Sequence, residues 1–111
     1  MQLSSAEHKA QFIQDTLKQF TESIWRDEMN LSWLAESKAE KQKELEEINA
    51  KLERKEYDST NTGRHLQTIA ENEINEIDAL TAQVTNKITN DWPKQIEKVK
   101  EYAKANGIEL E

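Results

Sequence analysis

Residues 58–63 read Asp58-Ser59-Thr60-Asn61-Thr62-Gly63, and they decide the fold because apolar repeats run up to them from both sides. Short polar side chains of this kind hydrogen-bond the neighbouring backbone and glycine tolerates positive φ, so the six residues predict a turn at which the chain reverses. On the N-terminal side Leu3, Ala6, Ala10, Ile13, Leu17, Phe20, Ile24, Leu31, Leu34, Leu45, Ile48 and Leu52 hold one alternating three-and-four spacing. That is the heptad repeat of a helix with a single buried stripe, and its phase never slips. Asp27, Lys38, Lys41 and Lys55 fall on the same stripe and put polar groups into the seam.

On the C-terminal side Ala70, Ile74, Ile77, Thr81, Val84 and Ile88 repeat the pattern, with Leu66, Ile69 and Leu80 on its flanks. Beyond Asn90-Asp91-Trp92-Pro93, the residues Ile96, Val99 and Ala103 continue the stripe one residue out of phase. Proline is tolerated in a first helical turn, so this segment predicts a cap and restart. Ser4 and Glu7 form a capping box at the front of the first helix. Asn106-Gly107-Ile108 matches a C-cap, with Gly107 in the left-handed conformation and Ile108 packing back on Ala103 or Tyr102.

The expected fold is all-α: one domain over 1–111, an antiparallel helical hairpin or coiled coil with a short third helix after Pro93. Helices are expected over about 5–57, 64–90 and 92–106, with the turn at 58–63. Asn30-Leu31-Ser32 is also a competent cap, which leaves a break in the first helix open. Two narrow seams bury little apolar area against the entropy of ordering about a hundred residues, so either the last helix folds back as a third layer or the chain self-associates. A homodimer completing a bundle is the favoured expectation.

Composition removes several function classes. The 111 residues carry 22 acidic and 15 basic side chains and no cysteine, for a formal charge of −7. Without thiols there is no disulfide framework, thiolate zinc site or cysteine nucleophile. A negative surface repels nucleic acid and anionic membranes, since phosphate binding needs clustered Lys and Arg. The stretch Met1 to Ala10 has no signal-like apolar run and the longest run anywhere is Trp33-Leu34-Ala35, so the chain reads as soluble and cytoplasmic, without a membrane span. His8 and His65 stand far apart, and Gly63 and Gly107 alone build no phosphate loop. No catalytic residue, cofactor or metal site is expected.

Two features carry a functional expectation. Trp25, Met29 and Trp33 lie four apart at outward heptad positions, with Phe12 similarly displaced. Large aromatics at helical spacing are usually packing, and a reversal near residue 60 would bring them towards Trp92 as a cluster. Left exposed, the same residues are interface anchors, and Trp25, Met29, Trp33 and Trp92 are the expected partner-binding set. The second feature is the segment 65–86, which has Glu71, Glu73, Glu76 and Asp78 and no Lys or Arg. These are most often solvated helix charges, but they form the acidic surface that would meet a basic partner protein. Together they point to a non-catalytic protein-binding module acting by occupancy, with an inhibitor of a nucleic-acid-processing complex as its concrete form. A coiled-coil scaffold or spacer, in which the seam is the whole function, is the alternative.

Overall fold

The structure, a computed structural model, describes residues 5–110. It is all-α, with no strand among the described residues. Helix α1 spans Ser5–Glu53, α2 spans Thr60–Asn86, a π-helical segment covers Lys87–Asp91, and α3 spans Trp92–Ala105. Ser4 lies outside the described residues, so the proposed capping box does too. Helix α1 runs through Asn30 without a break. Contacts gather the chain into two compact units, one from Met1–Met29 with Val84–Glu111 and one from Asn30–Gln83.

In the second unit α1 and α2 form a helical hairpin. Lys38 pairs with Asp78 at 2.7 Å and Lys41 with Glu73 at 2.6 Å, while Gln67 donates to Asn49 Oδ1 at 2.8 Å. One residue number rises as the other falls, which fixes the antiparallel sense. Its apolar seam residues, such as Leu34, Leu45, Ile48, Ile74 and Ile77, are half-buried, as expected of a two-helix seam, and Ala70 is buried among them.

The turn differs from the expectation in place and in chemistry. Helix α1 ends at Glu53 rather than near residue 57, because Lys55 adopts the left-handed conformation at φ 56°. Its N–H bonds the Leu52 carbonyl at 3.2 Å, and the Glu56 N–H bonds the Lys51 carbonyl at 3.0 Å. This is a Schellman closure with lysine where glycine is usual. Arg54 donates to both carboxylate oxygens of Glu56, at 2.7 and 3.2 Å, and that hydrogen bonding holds its guanidinium above its usual pKa. Helix α2 starts at Thr60, not 64, because Ser59 is the cap: its Oγ accepts the Thr62 N–H at 3.2 Å. Gly63 therefore sits within the first turns of α2 and supplies no positive φ. It is buried for closeness, since a Cβ there would overlap Leu52 and lie 2.8 Å from Tyr57 Cδ2.

In the first unit the N-terminal part of α1 packs against α3, with Ile13 and Ala103 buried. The expected restart at Asn90-Asp91-Trp92-Pro93 does not occur. Asp91 is helical, at φ −69° and ψ −55°, and makes no side-chain cap bond. The chain passes instead through one wide turn, in which the Trp92 N–H reaches back to the Lys87 carbonyl. A π turn absorbs one extra residue, which is the phase slip read between Ile88 and Ile96. It also accommodates Pro93, which has no N–H to give an α turn and whose ring would crowd the carbonyl of Thr89. Helix α3 closes as the sequence predicts, with Gly107 at φ 66° and the Ile108 N–H on the Ala103 carbonyl at 2.8 Å.

Candidate functional site

The four residues expected to bind a partner separate into two environments. Trp92 is half-buried at the start of α3, in the first unit. Its indole N–H donates to Asp27 Oδ2 at 2.7 Å, and its ring lies 5.8 Å from that of Phe20, tilted by 38°. Asp27 is one of the polar residues in the seam and is only 9% exposed. A buried carboxylate without a donor is strongly destabilising, so the indole is there to satisfy it as much as to fill space. Trp92 thus joins α1 to α3 within the first unit through both its ring and its N–H.

Trp25, Met29 and Trp33 remain on the outside of α1, at 62%, 55% and 58% exposure. Trp25 and Met29 belong to the first unit and Trp33 to the second. The tryptophans therefore do not gather around Trp92, and the reversal at residue 60 leaves these three side chains in water. Their spacing of four places successive members on neighbouring turns of one helix. Two indoles and a thioether in that arrangement offer large, rigid or polarisable apolar contacts flanked by the exposed charges of Arg26 and Glu28.

The acidic set also divides. Glu73 and Asp78 are taken up by Lys41 and Lys38 across the hairpin, so they complete the seam of the second unit. The hydrogen bond that Lys41 donates to Glu73 leads the effects that raise its ammonium above the ordinary pKa, with Glu44 adding to it at 3.4 Å. Glu71 and Glu76 stay exposed on α2. The lysines that put polar groups into the seam are the partners of carboxylates that read from the sequence as solvated charges, and neither pairing is legible without the register between helices.

No family model, curated protein or solved structure matches the chain. Its chemistry is therefore read from its own residues. Among the described residues no group of three or more His, Asp or Glu side chains is placed to hold a metal ion, and no helix is long and apolar enough to cross a membrane.

A further feature was only half visible in the sequence. An open, mostly apolar groove of about 600 Å³ lies between the N-terminal part of α1 and α3, lined in part by Phe12, Ile13, Val99 and Tyr102. Phe12 is 72% exposed and Tyr102 is also exposed. Each precedes a buried seam residue, Ile13 and Ala103, so each stands just off the seam. Phe12 showed as displaced from the heptad stripe. Tyr102 and the flanking Lys9 and Lys98 become a site only once the antiparallel register sets the two helix ends side by side.

Proposed function

We propose that the protein is a non-catalytic protein-binding module that acts by occupancy, docking a partner protein through the outer face of α1. The exposure of Trp25, Met29 and Trp33 carries this reading: the hairpin satisfies Trp92 internally and leaves these three apolar side chains in water. Interface energy concentrates in a few Trp, Tyr and Arg anchors, and Met adapts to irregular partner surfaces. The net charge of −7, with Glu71 and Glu76 outward on α2, favours a partner with a basic surface and speeds the encounter. Blocking the groove of a nucleic-acid-processing complex is the most concrete form of such occupancy. On the same reading the chain is a homodimer, because the seams bury only Ile13, Ala70 and Ala103 as apolar residues among those described.

The test is the double substitution Trp25→Ala with Trp33→Ala. Helicity and melting should stay as in the wild type, because both side chains are mostly in solvent. A protein captured by the wild type, once purified and titrated, should bind the variant roughly tenfold or more weakly. Loss of helicity in the variant, or equal affinity for both chains, overturns the reading. Trp25→Phe with Trp33→Phe adds a spectroscopic check, since the remaining emission from Trp92 should be blue-shifted and poorly quenched by iodide.

A scaffold role is favoured by one observation, the 49-residue length of α1. It requires assembly that grows with concentration, whereas the docking module requires a small fixed stoichiometry.

A further inference from the structure

The cationic groove of the first unit has a counterpart elsewhere on the same chain. Lys9 and Lys98 line the groove beside Phe12 and Tyr102, and no carboxylate is among its lining residues. On a chain of net charge −7 this is a locally positive apolar site. In the second unit Leu66, Ile69, Glu73, Glu76 and Leu80 recur on α2 at alternating three-and-four spacing, a second stripe beside the seam. Leu66, Ile69 and Leu80 are exposed large hydrophobic residues, and Glu76 is exposed between them. Glu73 is held by Lys41, so Glu76 supplies the outward charge of the stripe, in a segment with no Lys or Arg from residue 65 to 86.

We propose that the occupant of the groove is a second copy of this chain, which lays the Leu66–Ile69–Glu76–Leu80 stripe of its α2 against Phe12 and Tyr102, with Glu76 facing Lys9 and Lys98. The inference rests on the self-association proposed above and adds the two surfaces that make it. Charge selects the pairing. Groove against groove sets lysines against lysines and stripe against stripe sets carboxylates together, while groove against stripe matches opposite charges over apolar centres. Each pairing joins different surfaces of the two copies, and two such pairings about a two-fold axis close the homodimer. It covers exposed apolar residues of both units and leaves Trp25, Met29 and Trp33 available to a different partner.

Sedimentation equilibrium from micromolar to several hundred micromolar protein tests it with a charge swap. Lys9→Glu with Lys98→Glu should weaken self-association roughly tenfold or more, and so should Glu76→Lys with Gln83→Lys, which lies one heptad further along the stripe. An equimolar mixture of the two variants should associate again, because the acidic groove of one now faces the basic stripe of the other. Phe12→Ala, a neutral change at an exposed position, should weaken association without altering helicity. A wild type that stays monomeric throughout overturns both this inference and the homodimer reading. Association indifferent to the swaps and to Phe12→Ala overturns this inference alone, as does a mixture that fails to recover. Substitution of Trp25 and Trp33 should leave self-association unchanged, which separates it from the docking of a foreign partner.

Discussion

The two units solve one problem, a polar residue in a heptad seam, by different chemistry. In the first, Asp27 is buried and takes a hydrogen bond from the half-buried indole of Trp92, whose ring also packs on Phe20. In the second, Lys38 and Lys41 reach to the edge of the seam and pair with Asp78 and Glu73, with all four side chains partly in water. An exposed ion pair is screened, loses side-chain entropy and contributes little net stability. A buried carboxylate with a fixed donor cannot exchange that donor for solvent, so breaking the pair removes both a bond and its compensation. The first unit should therefore depend on one side chain, and the second on none in particular.

The sharpest way to break this contrast is Trp92→Ala. It removes a large packed ring and leaves Asp27 without its indole donor, for an expected loss of about 3 kcal/mol. Native-state hydrogen exchange should show the loss in residues 5–29 and 84–105, with protection in 60–83 much less affected. Trp92→Phe keeps an aromatic ring and deletes the N–H with a few ring atoms, and should lose less, about 1–2 kcal/mol. If Trp92→Phe melts like the wild type, or if protection falls equally in both units after Trp92→Ala, the indole bond is not what supports the first unit.

Gly63→Ala probes the second unit where it is closely packed rather than where it is charged. Alanine is the better helix former by about 1 kcal/mol, so an open helical site would gain stability. Here the new methyl meets Leu52 and Tyr57, and the expected outcome is a net loss of about 1–3 kcal/mol, read as a lower urea midpoint at unchanged slope.

That site also shows how far the sequence could be read. The cluster 58–63 marks the reversal, but its pattern reads Gly63 as a conformational device, whereas its role is contact across the turn, which no local pattern encodes. The number of Lys55 fits the heptad and so puts it on the seam; its left-handed φ depends on the Schellman bonds to Leu52 and Lys51, and lysine gives no hint of it. The phase slip between Ile88 and Ile96 was legible as arithmetic, yet it suggested a restart because Asn90, Asp91 and Pro93 are all cap-forming residues. A π turn satisfies the same arithmetic without ending the helix. For Trp25, Met29 and Trp33 the outward heptad position was legible, but not whether a neighbouring helix covers them. The site was illegible for residues whose environment is the opposite helix, because Asp27 with Trp92, Lys38 with Asp78 and Lys41 with Glu73 are each far apart in the chain.

The smallest expected effect is the one that most directly tests the second unit. Lys38→Ala removes an ammonium that is about a third exposed and leaves Asp78 half in water, where solvent replaces the lost partner. The expected loss is about 0–1 kcal/mol, shrinking further as salt is raised and the Debye length falls below the separation of the remaining charges. Thermal unfolding at low and at molar salt checks both the size and its dependence. A loss as large as that from Trp92→Ala, persisting in molar salt, would mean that the lysine stem packs the seam and that the units share one mechanism. A small, salt-sensitive loss would place the support of the second unit in its many half-buried apolar contacts. Its charged edge would then be free to change without unfolding the hairpin, as the charge-swapped stripe on α2 requires.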